Sequence, residues 1–347
     1  MSRSAQTLLL AASLLTAFSL FVIGACGGAS TEEDPPPVCY ESYPVEDGGF
    51  VRSPRAENWA QLAVRGYHEG QTSEQDCVGN RLEWHPTDRA CDVHEDEHEP
   101  PPGAIPVSDE SVIVGRSDSA MIRPVWVVTH HFEDGDGFGP VMLTEQTTEG
   151  VAVRAMGTLR MPLERARLRL RETAGRRVVV ADGERCPDED DQANGQDRTD
   201  EVEDGEQTEE PEPTCLRYAR ILPVVGDRLV SSEIRNSDGR CLSAAQVYLS
   251  REQTIGLENG WERTFRLAAS MEYRAGAVIV HEQVTAEDKD PRDPGRPARL
   301  FRTTDADRVL FLERGGIRSR GLPLFERTVR AHGSTQLPIA ESDRDRQ

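Results

Sequence analysis

Strict two-residue alternation of apolar and polar side chains is the feature that most restricts this chain. Val151, Val153, Ala155, Gly157, Leu159 and Met161 share one face of a period-two ribbon. Arg154, Thr158 and Arg160 fall on the other, together with Ala152 and Met156. Phe265, Leu267, Ala269, Met271 and Tyr273 alternate with Arg266, Ser270, Glu272 and Arg274. Ala166, Leu168 and Leu170 alternate with Arg167, Arg169 and Arg171. This period marks half-buried β-strands with one wet face. Hairpin signals separate them, at Thr148-Glu149-Gly150, Ala174-Gly175, Val225-Gly226-Asp227 and Ala275-Gly276. No long amphipathic helical stretch lies between these strands, which argues against parallel βαβ units. The expected fold is all-β and mainly antiparallel, a meander of about ten or more strands forming a barrel or sandwich. A membrane-spanning barrel needs an apolar outward band, and here the outward faces carry successive arginines.

The N-terminus reads as an address. Arg3 supplies a basic start, Leu8 to Ile23 is almost entirely apolar, and Ile23-Gly24-Ala25 leads into Cys26. The run is short for a transmembrane helix of about 20 residues and fits a secretory signal. Ile23-Gly24-Ala25-Cys26 resembles the lipobox of bacterial lipoproteins. That resemblance implies cleavage before Cys26, lipidation of its sulfur and membrane anchoring, with residue 27, a glycine rather than an aspartate, favouring the outer membrane. The alternative is ordinary secretion with cleavage after Ala29.

Five segments follow: a signal peptide over 1–25 and a flexible acidic, Pro-rich tether over 26–45, then a small turn-rich, Cys-containing region over 46–108. An antiparallel β domain occupies 109–335, with a disordered acidic insertion at 187–213, and 336–347 forms a polar tail. The charge follows this division. The chain carries −21 overall. Thirteen acids against Arg198 fall within 187–213, five acids within 92–99 and six within 31–47. The rest of the mature body is close to neutral. Acidic loops of this kind are solvated and resist collapse. With no basic patch interleaved with aromatics, nucleic acid is not an expected partner.

Beyond Cys26 there are six cysteines, an even number that suggests three disulfides in an exported chain. Cys186–Cys215 would close the neck of the acidic insertion. Cys77–Cys91 is the local choice for a second bridge, and Cys39–Cys241 follows by elimination.

Two motifs suggest metal chemistry. His94-Glu95-Asp96-Glu97-His98 matches H-E-x-x-H, which binds Zn²⁺ when a helix puts both histidines on one face. Here no apolar residue from Glu95 to Glu99 could pack such a helix, and Pro100-Pro101-Pro102 ends it. Asp134, Asp136, Gly139, Val141 and Glu145 fall at positions 1, 3, 6, 8 and 12 of an EF-hand-like Ca²⁺ loop. Phe138 and Pro140 break that pattern, and the flanks read as strands, so a Gly-rich hairpin is the simpler account. His130-His131 place one imidazole on each face of a strand and cannot jointly chelate. His281 has no serine or cysteine partner nearby in sequence. The four tryptophans read as packing rather than sugar platforms.

The expected function is a membrane-anchored, non-catalytic envelope lipoprotein, binding or assembling with envelope proteins and needing no cofactor. A lipocalin-like carrier of a lipid or other apolar ligand is the first alternative. A metal-dependent envelope hydrolase using His94 and His98, or the Asp134 loop with Glu145, is the second.

Overall fold

The computed structural model describes residues 37–42, 45–46, 50–51, 54–68, 75–82, 104–173, 175–186, 215–243, 246–293, 295–313 and 316–333. In chain order they form β1 (Cys39–Ser42), β2 (Val45–Glu46), β3 (Phe50–Val51), α1 (Ala56–Ala63), β4 (Val112–Val114), β5 (Ile122–Val127), β6 (His130–His131), β7 (Asp136–Gln146), β8 (Gly150–Pro162), β9 (Glu164–Thr173) and β10 (Arg176–Arg185). Past the acidic insertion come β11 (Leu216–Val225), β12 (Arg228–Leu229), β13 (Ile234–Arg235), β14 (Cys241–Ser243), β15 (Gln246–Gly256), β16 (Glu262–Arg274), β17 (Ala277–Lys289), β18 (Arg299–Glu313), β19 (Gly316–Arg320) and α2 (Leu324–His332).

All but β2 and β3 join one large, mainly antiparallel sheet that does not close on itself. β4, β5, β7, β8 and β1 are successive neighbours in one part. β9, β10, β11, β15, β16, β17, β18 and β19 are successive neighbours in the other. The two parts connect where β12 pairs with both β11 and β8. Three of the hairpin signals place a glycine in the left-handed region, Gly175, Gly226 and Gly276 at φ of 70°, 62° and 82°. Glycine enters that left-handed region without steric cost.

The two parts share a core. Trp126, Leu143, Leu159 and Met161 from β5, β7 and β8 meet Leu168, Val179, Tyr218 and Leu222 from β9, β10 and β11. Burying a large apolar side chain fully stabilises by about 1.5–3 kcal/mol. The opposite face of β5, β7 and β8 is covered as well, because α1 lays Trp59, Ala60 and Ala63 against Val125, Met142, Val153 and Met156. β8 therefore has no wet face. A bulge between Leu143 and Thr144 also switches its inward set, so Val151 and Val153 pack under α1 while Ala155, Leu159 and Met161 enter the shared core. On β16 the expected alternation holds: Phe265 and Leu267 are buried while Ser270 and Arg274 are exposed.

α2 was not legible as a helix among the strands. It seats Leu324 and Phe325 on Phe265, Leu267, Val284 and Ala286. Its first amide is held by a buried ion pair: Leu324 N–H donates to Glu282 Oε2 at 3.1 Å, and Arg308 Nη2 lies 3.0 Å from Glu282 Oε1. Burial pushes the Glu282 carboxyl up, against the pull of Arg308. No helix among the described residues is long and apolar enough to cross a membrane.

Candidate functional site

Cys26, Cys91, His94, His98 and the insertion at 187–213 lie outside the described residues. Of the expected bridges, Cys186–Cys215 is present, with Cα atoms 4.2 Å apart. The other two pairings are corrected, because Cys39 is bonded to Cys77. The reason is three-dimensional. β1 runs along the start of β8, with Cys39 opposite Val153, and the turn after α1 returns Cys77 to the same place through Cys77 N–H to Ala63 C=O. Proximity along the chain gave no hint of this. Cys241 is also disulfide-bonded, to a partner outside the described residues.

The Asp134 segment is a tight hairpin turn. Gly135 has φ 82°, and the backbone amide of Asp136 donates to Asp134 Oδ1 at 3.0 Å, a self-capped turn of the kind aspartate favours. Asp136 already belongs to β7, so Gly137, Phe138, Gly139 and Pro140 are strand residues and not loop ligands. The carboxylates of Asp134 and Asp136 face two guanidiniums. Arg185 Nη2 lies 2.6 Å from Asp136 Oδ1 and 2.8 Å from Asp134 Oδ2. Arg160 reaches both acids at 3.2 Å, with its guanidinium stacked 3.6 Å over the Phe132 ring. Burial pushes the Asp136 carboxyl up while Arg185 opposes it. Glu145 is not part of this group. It sits nine residues along β7, about 30 Å away at strand rise, and pairs with Arg154 Nε at 2.6 Å. The three proposed Ca²⁺ ligands therefore do not converge, and the two that adjoin are neutralised by arginines.

The charged network continues across the neck. Glu184 accepts from Arg165 Nη1 at 2.9 Å, and Arg217 Nη2 lies 3.0 Å from the buried Asp182. Glu184, Cys186 and Cys215 also gather closely. With both sulfurs in a disulfide, no thiolate is there to bind a metal.

His130 is the inward member of its pair, buried, hydrogen-bonded to Thr129 Oγ1 at 2.8 Å and packed on Phe138, while His131 is exposed. Burial lowers the His130 pKa to about 4.

Strand register adds a relationship that sequence distance concealed. Ser270, His281 and Asp307 are direct neighbours on β16, β17 and β18. His281 Nδ1 lies 2.8 Å from Asp307 Oδ1, as in a hydrolytic triad, but Nε2 lies 3.3 Å from Glu272 Oε2 rather than on the serine. Hydrogen bonds to Asp307 and then Glu272 raise the His281 pKa. With Nδ1 facing Asp307 and Nε2 facing Glu272, neither ring nitrogen is directed at the Ser270 hydroxyl to take its proton. As arranged, the cluster is an exposed cross-strand hydrogen-bonded group.

Comparison of the chain with protein-family models, with curated proteins and with solved structures gives no match.

Proposed function

We propose that this protein is a membrane-anchored, non-catalytic envelope lipoprotein whose β body acts as a binding or assembly module. The observation that carries the reading is Ile23-Gly24-Ala25-Cys26 behind the apolar run from Leu8. The disulfides support export. The partnering of Asp134, Asp136 and His281 by other side chains supports a body built for structure and recognition rather than turnover. We read the body as a sandwich in which β5, β7 and β8 face β9, β10 and β11 across their shared core. That core is filled by side chains such as Trp126 and Met161, which favours this reading over a lipocalin-like barrel with an internal ligand cavity.

The test is Cys26→Ala in the full-length chain. The wild type is expected in the membrane fraction with an acylated N-terminal peptide by mass spectrometry, and the variant in the soluble fraction. An unmodified Cys26 in the wild-type protein, or full membrane retention of the variant, would overturn the proposal.

A further inference from the structure

Arg116, Arg123, Arg167 and Arg169 make no ion pair among the described residues, whereas most other arginines of the body have an acidic partner. They are not scattered. Arg167 and Arg169 alternate with buried Leu168 on β9, so they project to one side about 7 Å apart along the strand. Arg116 is tied beside Arg169 by two backbone hydrogen bonds, Arg116 N–H to Leu168 C=O at 2.9 Å and Leu170 N–H to Arg116 C=O at 2.8 Å. The strap that carries it lies flush on β9 because residue 115 is glycine. A Cβ there would come within 2.7 Å of the Leu168 carbonyl oxygen.

These side chains line two adjoining hollows. One, of about 410 Å³, lies between Arg116, Arg167 and Arg169. The other, of about 520 Å³, lies between Arg116 and Arg123. Val114 and Arg116 belong to both. A third hollow, of about 140 Å³, shares Val114 and Arg123 and is walled by Trp59, Met121, Val125 and Val151. The trough therefore runs from a cationic end to an apolar one. Val114 and Met121, on the rim of the apolar end, are 45% and 50% exposed. Large apolar side chains left this open beside a shaped hollow suit a binding surface.

Asp118, two residues beyond Arg116, and Asp182, opposite Arg167 on β10, are paired with Arg171 and Arg217. The four guanidiniums therefore have no ion pair of their own among the described residues, and a bound oxyanion relieves their mutual repulsion. Their planar forks take phosphate or carboxylate oxygens bidentately. Nucleic acid fits less well, since Trp59 is nearly buried in the wall and offers no open face on which a base could stack. The apolar end is smaller than the roughly 300–1,000 Å³ of a pocket for a drug-sized ligand, so it takes a short apolar portion and not a whole acyl chain.

We infer that this trough binds an anionic amphiphile, its phosphate- or carboxylate-type head between Arg116, Arg123, Arg167 and Arg169 and its first apolar groups in the hollow beside Trp59. The inference gives the proposed binding role a ligand class, and rests on that reading only for where the ligand is met.

The test uses the mature chain from Gly27, exported on a cleavable signal and so carrying no anchor, whatever the fate of Cys26. Calorimetric titration compares monomeric dodecyl phosphate, inorganic phosphate and monomeric dodecyl maltoside. Dodecyl phosphate is expected to bind at least tenfold more tightly than either of the others, and to weaken with salt. Arg116→Gln with Arg167→Gln, both at exposed positions, should lower that affinity at least tenfold with an unchanged melting temperature. Val114→Asp should remove the advantage of dodecyl phosphate over inorganic phosphate. Equal affinity for phosphate and dodecyl phosphate would leave a simple anion site and overturn the amphiphile. Equal affinity for the maltoside would overturn the arginine head site. Binding seen only with phosphatidylglycerol vesicles would make the surface a membrane contact instead, and no binding to any probe would overturn the inference outright.

Discussion

Arg185 Nη2 lies 2.6 Å from Asp136 Oδ1, and the residue after Arg185 is one half of the bridge that closes on Cys215. The end of β10 is thus pinned to the beginning of β7 immediately before the chain leaves for the acidic insertion. Asp136 is buried while the Arg185 side chain is one-third exposed. Removing the arginine strands a carboxylate more than it frees a cation. Arg185→Leu should therefore destabilise by about 2–3 kcal/mol, below the 3–5 typical of a fully buried pair because Arg160 remains. Urea unfolding measures this, and a loss under 0.5 kcal/mol would mean the contact contributes nothing. Because both acids are already matched by arginines, EDTA and Ca²⁺ should leave the wild-type midpoint unchanged.

Gly139 occupies the place of a loop glycine in the EF-hand-like pattern, but its actual role is a close approach between strands. A Cβ there would sit 2.0 Å from the Val127 carbonyl oxygen and 3.0 Å from the Thr129 nitrogen. Gly139→Ala should cost about 3 kcal/mol or more, since backbone must move on both sides. Gly135→Ala, at φ 82° in open space, should cost only about 1 kcal/mol. Thermal melts of the two variants decide it, and equal losses would contradict the strand placement.

His130 gives stability an acid limb. Burial lowers its folded pKa from 6.5 to about 4, so the folded state disfavours the proton. Its contribution is complete above about 6.5 and is lost as pH falls toward 4, on the order of 3 kcal/mol across that window. Asp136 and Glu282 act in the other sense. Their raised pKa values stabilise at low pH and lose that contribution as pH climbs through the folded values. Comparing His130→Asn with the wild type isolates the histidine. The wild-type curve should fall more steeply between pH 6.5 and 4, and parallel curves would sink the assignment.

Non-reducing peptide mapping should join Cys39 to Cys77 and Cys186 to Cys215. The Cys39–Cys77 bridge spans 38 residues, and its loss in Cys39→Ser/Cys77→Ser should cost about 4 kcal/mol on the chain-entropy account. A double variant that unfolds at the wild-type midpoint would show that α1 and β1 are held by packing alone.

The strands were legible wherever one face meets water. On β9 and β16 the alternation of Leu168 with Arg169, or Leu267 with Ser270 and Arg274, is visible without a structure. It misled on β8, where α1 covers the second face and a bulge exchanges the inward set. A single sequence records that a residue is apolar, not which neighbour buries it. α2 was missed because its nine residues carry too few turns to establish a helical period. Its docking depends on Glu282 and Arg308, far away in sequence. The neck bridge was readable because its cysteines bracket an obvious compositional break. The Cys39–Cys77 bridge was not, since it depends on β1 lying along β8. The trough is invisible in the sequence for the same reason: Arg116 meets Arg169 only through an excursion of about fifty residues.

The bridge between Cys186 and Cys215 brings the two ends of the acidic insertion within 4.2 Å at Cα. Whatever lies between them starts and finishes at one point of the fold. Lengthening it changes the closure entropy only logarithmically, and the bridge and arginine clamp hold the flanking strands in register. The neck is therefore a socket. Replacing 187–213 with an affinity tag or a foreign epitope should leave the thermal midpoint of the β body unchanged, and a large loss would show that the segment packs on it.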